Sequence, residues 1–138
     1  MKKIILSGLL ALFVVSAFAQ KPNTEERPAE TATKALVEKY QLTPTQEAKM
    51  LKIQTRKFKN MDQFASLETS DVNKYLQKMA SNARQTRFSI RMMLNKEQAK
   101  ILDQEEMDLR KKRADISQKM QKDGASKLEI QKALLPFE

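Results

Sequence analysis

Residues 42–46 read LTPTQ, and residues 94–98 repeat the pattern as LNKEQ. In the first copy, Thr43 is placed to cap a helix that begins at Pro44, where the missing N–H of proline costs nothing. The hydroxyl of such a cap accepts a hydrogen bond from the third helical residue, whose glutamine side chain reaches back to the cap amide, a pairing called a capping box. The second copy has asparagine at the cap, which serves at least as well as threonine. The two stretches therefore predict two tight turns, each opening a helix.

The chain on either side of these turns has the composition of helices. Only two glycines and four prolines occur in 138 residues, and runs of β-branched residues are few, which argues against a sheet. Gly124 is placed to end a helix, and Ser126 with Glu129 forms a third capping box. We predict an all-α fold of four main helices and a short C-terminal one, at about 29–40, 43–67, 71–93, 96–122 and 127–135.

The N-terminal residues have the pattern of a secretory signal peptide. A positively charged start precedes an apolar stretch over residues 4–15 that is too short to span a bilayer, and Ala17-Phe18-Ala19 then provides small residues for cleavage. An uncleaved N-terminal anchor is the alternative. We predict an exported, soluble, periplasmic protein in three segments: a signal peptide at 1–19, a disordered lead at 20–28 and a single helical domain at 29–138.

The charge and the missing residue types limit the function. The formal net charge is +9, of which Lys2 and Lys3 contribute two within the signal peptide. A basic balance commonly indicates nucleic acid, but export argues against that partner and leaves acidic unfolded proteins or an anionic membrane surface. Histidine and cysteine are absent, so the usual zinc sites and nucleophile–base pairs cannot be built. We therefore expect no enzyme, no metal and no cofactor.

The motif pair, in a basic and exported helical chain, resembles the twin LTxxQ signature of the Spy/CpxP family of periplasmic proteins. The second copy departs from the signature at its cap. The resemblance implies antiparallel helical hairpins that assemble into a curved, cradle-like homodimer, and it implies roles as ATP-independent chaperones, repressors of envelope-stress sensor kinases or metal-responsive variants. It carries over six structural positions and no catalytic site: Leu42, Thr43, Gln46, Leu94, Asn95 and Gln98.

Two surfaces are candidates for binding. The third predicted helix places Phe88 and Met92 four residues apart, and therefore adjacent, away from its apolar seam. Arg84 and Arg91 flank them, and guanidinium groups beside an aromatic ring and a pliable thioether suit partners of varied sequence. The alternative is that both apolar side chains are buried against another helix or a dimer mate. The second helix carries four cations along one flank, which are either a binding stripe or a solvated face: Lys49, Lys52, Arg56 and Lys59.

The resemblance implies an envelope-stress chaperone, and the two surfaces suggest that it binds unfolded or aggregation-prone client proteins through a basic, partly apolar helical surface. The alternative is a regulatory partner of an envelope-stress sensor kinase, which would use the same surface to bind the external domain of one membrane sensor.

Overall fold

The computed structural model describes residues 27–137, and this part of the chain is helical almost throughout, with no strand. The all-α prediction is confirmed. The predicted signal peptide and nearly all of the predicted lead lie outside the described residues. Between residues 27 and 137, no helix is both long and apolar enough to cross a bilayer. In this described range, six α-helices are followed by a 3₁₀ turn, Leu135–Phe137: α1 (Pro28–Tyr40), α2 (Pro44–Phe64), α3 (Leu67–Ser70), α4 (Val72–Met93), α5 (Lys96–Lys122) and α6 (Lys127–Leu134).

The predicted boundaries hold at most helix ends because local signals mark them. The backbone of Gln41 is left-handed, with φ of 50°, and the N–H of Leu42 donates to the carbonyl of Val37 at 3.0 Å, which closes α1. Gly124 adopts φ of 79° after α5, where a left-handed residue favours glycine. The Asp71 side chain accepts a hydrogen bond from the Lys74 amide at 3.0 Å and so opens α4.

The prediction of one continuous second helix to residue 67 is wrong. Helix α2 ends at Phe64, and the single-turn helix α3 follows after Ala65 and Ser66. The amide of Ala65 donates to Asp62 at 3.3 Å, which tightens the last turn into a 3₁₀ geometry. Since Leu67 is half-buried at helical spacing, the apolar pattern continues across this break and does not reveal it.

The core lies where the two LTPTQ-like turns meet. Helix α2 packs against α1 and α4, whereas α4 and α5 are not closely packed along their lengths. Among the described residues, five polar side chains are buried with the apolar ones, including Gln54, which is 2% exposed, and Asn82, which donates to the Lys57 carbonyl at 3.0 Å. Helices α4 and α5 therefore leave open space between them, outside the compact and partly polar core. The buried core cluster consists of Tyr40, Leu42, Met50, Ile90 and Leu102.

Candidate functional site

All three predicted capping boxes are present, and two of them lie in the repeated motif. The Gln46 amide donates to Thr43 Oγ1 at 3.3 Å, and the Thr43 amide donates to Gln46 Oε1 at 3.0 Å. The same two bonds join Asn95 and Gln98, at 2.9 and 3.0 Å. The leucine before each cap packs inward, since Leu42 is buried in the core and the second leucine is half-buried against it. The substitution of asparagine for threonine leaves the geometry of the turn unchanged.

The two glutamines of the capping boxes also bind each other, and we refer to them as the glutamine pair. Gln46 Nε2 donates to Gln98 Oε1 at 2.8 Å, and Gln98 Nε2 donates to Gln46 Oε1 at 3.1 Å. Gln46 Nε2 also donates to the carbonyl of Met93 at 3.0 Å, and Gln98 Nε2 donates to the carbonyl of Gln41 at 3.3 Å. Each of these carbonyls belongs to the residue before the leucine of the other motif. All donors and acceptors of both amides are therefore used, and the two turns are tied together.

Three side chains hold the first turns of α5 against its neighbours. The Tyr40 hydroxyl donates to Glu105 at 2.7 Å, and Lys39 forms an ion pair with the same carboxylate. Burial, together with the hydrogen bond to Glu105, raises the pKa of Tyr40 far above its ordinary value. Arg91 of α4 pairs with Asp103 through both guanidinium nitrogens, and this contact lowers the pKa of Asp103. Helix α5 is thus anchored near its start by contacts to α1 and α4.

The structure places Phe88 and Met92 on the surface, where their side chains are 66% and 70% exposed. Neither is buried against another helix. Arg84 shares a shallow depression with Phe88 and with Arg56 of α2, whose Nη2 donates to Ser89 Oγ at 2.7 Å. A large exposed apolar pair thus lies among cations from two helices. We name this surface the Phe88 face, and it consists of Arg56, Arg84, Phe88, Arg91 and Met92.

A deeper cleft of about 270 Å³ adjoins the Phe88 face between α4 and α5. Arg87, Arg110 and Arg113 line it, together with Arg84 and Arg91 of the face. The cations of α5 were missed in the sequence, because the helix carries equal runs of acids and bases that suggest internal compensation. That compensation occurs in part, since Arg110 lies 3.6 Å from Glu106. The gap between α4 and α5, which a sequence pattern does not show, brings these cations to the cleft.

The remaining cations of the predicted stripe do not join this site. Lys49, Lys52 and Lys59 are exposed along α2, but they line neither the depression nor the cleft beside Phe88. Of the four stripe residues, only Arg56 is brought to the Phe88 face. Within the described part of the chain, no cluster of three or more His, Cys, Asp or Glu side chains could hold a metal ion.

Comparison with family models, with curated proteins and with solved structures finds no match. The resemblance to the LTxxQ proteins therefore depends on the motif residues alone.

Proposed function

We propose that this protein is an exported, ATP-independent chaperone of the periplasm that binds unfolded clients at the Phe88 face. The observation that carries the proposal is the exposure of Phe88 and Met92 beside unburied guanidinium groups. Folding gains nothing from large apolar side chains left in water, and such groups commonly mark a surface that binds another molecule. Arginine pairs with carboxylates and stacks on aromatic rings, while methionine adapts its shape to its partner.

The proposed mechanism has two steps. Positive charge on the face and in the adjoining cleft attracts acidic segments of an unfolded chain and speeds the encounter. Scattered apolar contacts at Phe88 and Met92 then hold the client loosely. Because the depression beside Phe88 is shallow and open, a bound client retains the freedom to fold.

The assembly in this proposal is the one that the LTxxQ resemblance implies. The helices would form antiparallel hairpins, and two copies would build a shallow, cradle-like homodimer of the Spy/CpxP type. The paired turns support this arrangement, because the glutamine pair ties the two motif copies to one another across 52 residues of sequence.

Changing Arg84, Phe88 and Met92 to glutamine together should weaken client binding by about tenfold, equivalent to the loss of about 1.4 kcal/mol of binding free energy. The loss follows from removal of one cation and two apolar contacts. The measurement is suppression of aggregation of several unrelated denatured clients by the processed chain, residues 20–138. A matched control changes exposed residues of α5 with the same gain of polarity: Ile101→Gln, Met107→Gln and Lys111→Gln.

The control variant should protect clients as well as the unchanged protein does. Equal loss in both variants would contradict a role for the Phe88 face. Protection of no client, with binding confined to the external domain of one membrane sensor, would favour the regulatory alternative.

Raising the salt concentration should slow client capture strongly. Attraction between exposed charges is screened beyond about 8 Å at 0.15 M ionic strength, so we expect the association rate to fall about tenfold between roughly 20 and 300 mM NaCl. Stopped-flow mixing with a fluorescently labelled, acidic unfolded client measures this rate. A client without acidic residues serves as the control, and its slower association should change little. An association rate that is indifferent to salt for both clients would contradict the two-step mechanism.

A further inference from the structure

A second open cavity, of about 680 Å³, shares part of its wall with the cleft beside Phe88 but is not lined by Phe88 itself. Its walls come from α1, α2, α4, α5 and the C-terminal 3₁₀ turn, and they are largely apolar. Met79, Ala83 and Leu109 on its wall are only half-buried, although they lie on the inward-facing sides of their helices. The volume is in the range of small-molecule binding sites, roughly 300–1,000 Å³.

Three cations line this cavity. Lys39 is paired with Glu105, which leaves Lys57 of α2 and Arg87 of α4. Among residues 27–137, neither lies within ion-pair distance of a carboxylate. The acids of the wall are already engaged. Glu105 is bound by Lys39 and the Tyr40 hydroxyl, and Glu106 pairs with Arg110 of α5. The cavity therefore combines an apolar wall with uncompensated positive charge.

Without a bound ligand, this arrangement of charges costs the folded protein free energy. Lys57 is half-buried, and burial together with the nearby charge of Arg87 lowers the pKa of Lys57. Its ammonium lies 5.4 Å from the centre of the Phe58 ring, which gives only a weak electrostatic partner. Since two like charges on an apolar wall oppose each other and are poorly solvated, a bound anion would stabilise both.

We propose that this cavity binds a single-chain fatty acid, with its carboxylate at Lys57 and Arg87 and its hydrocarbon chain along the apolar wall. The planar guanidinium group matches the two carboxylate oxygens, and the ammonium supplies a second donor. A second copy of this chain is a poorer occupant, because a chain with a net positive charge brings more positive charge to the site. None of the five residues of the Phe88 face lines this cavity, but Arg87 and Leu109 line both the cavity and the cleft that adjoins the face.

Isothermal titration of the purified, processed protein with dodecanoate, kept below its micelle concentration, tests the proposal. We expect saturable binding, with dodecanol, an uncharged chain of equal length, binding at least tenfold more weakly. The double variant Lys57→Met and Arg87→Met should lose about tenfold in affinity for dodecanoate and none for dodecanol. Removing these charges should not unfold the protein, and far-ultraviolet circular dichroism checks this. Leu109→Gln, on the wall, should weaken binding of both probes.

A matched control is the double variant Lys59→Met and Lys74→Met, which removes two positive charges from the same two helices outside the cavity and outside the Phe88 face. It should bind dodecanoate as the unchanged protein does. Equal affinity for the charged and uncharged probes, or equal loss in the two double variants, would overturn the proposal. A lack of dodecanoate binding, together with a change of oligomeric state in Leu109→Gln, would assign the cavity to a second copy instead. Affinity that depends on Phe88 and not on Lys57 would assign the fatty acid to the client surface and likewise overturn the proposal.

Discussion

Replacing Gln98 by leucine should lower the free energy of unfolding by about 3 kcal/mol. The Gln98 side chain is part of four hydrogen bonds, with the Asn95 amide, the Gln41 carbonyl and both polar atoms of the Gln46 amide. Gln98 is 8% exposed, so water cannot readily replace the lost partners. Each net hydrogen bond contributes about 1 kcal/mol, and a donor or acceptor left unsatisfied costs about 1–3 kcal/mol.

The size of the effect should depend on the partner glutamine, which makes a double-mutant cycle informative. Chemical denaturation of the Gln46→Leu, Gln98→Leu and double variants should show that the double loses less than the sum of the singles, with a coupling of about 1–2 kcal/mol. The exposed Gln118 of α5 provides a matched control, and Gln118→Leu should change stability by less than about 0.5 kcal/mol. Strictly additive losses would show that the glutamine pair does not act as a unit.

Replacing Met50 by alanine should also cost about 3 kcal/mol, and it should lower the melting temperature by about 12 °C. The side chain is fully buried, with 0% exposed, in the cluster that contains Tyr40 and Leu102. The substitution leaves a cavity where close packing contributes most. It also removes the sulfur that accepts a hydrogen bond from Gln54 Nε2 at 3.6 Å, and Gln54 is itself buried.

Differential scanning calorimetry of the purified chain measures this loss, and the structure offers a control of the same chemistry. Met107 is 62% exposed on α5, so Met107→Ala should leave the melting temperature within about 2 °C of the original. Met50→Leu, which conserves volume, should cost less than about 1.5 kcal/mol. If Met107→Ala proved as damaging as Met50→Ala, the placement of the core at the paired turns would be wrong.

Local chemistry made most helix ends predictable from the sequence. The bounds of α5 coincide with the predicted 96–122, because Asn95 and Gln98 mark its start and Gly124 its end within a few residues. The end of α2 was not predictable in this way. Its last turn is tightened by backbone bonds, and Leu67 keeps the apolar spacing through the break.

Contacts between distant residues account for what the sequence did not reveal. The likeness of the two motifs indicated two similar turns, but it did not indicate that Gln46 and Gln98 bind each other. Exposure of Phe88 was undecided, because a second apolar side of a helix serves equally well for packing or for binding. No sequence pattern indicated a binding role for Lys57, because its surroundings come from three other helices that meet only in the folded chain.

The glutamine pair joins the two turns at one end of the molecule, and helix α5 starts from this joined end. Helix α5 has 27 residues and extends about 40 Å from its anchored start, while it lacks close packing against α4 along the way. If α5 rotated by roughly 10° about its anchored start, its C-terminal end would move by about 7 Å. Beyond the gap between α4 and α5, helix α6 and the 3₁₀ turn contact both of these helices, so this C-terminal segment limits how far the two helices can separate.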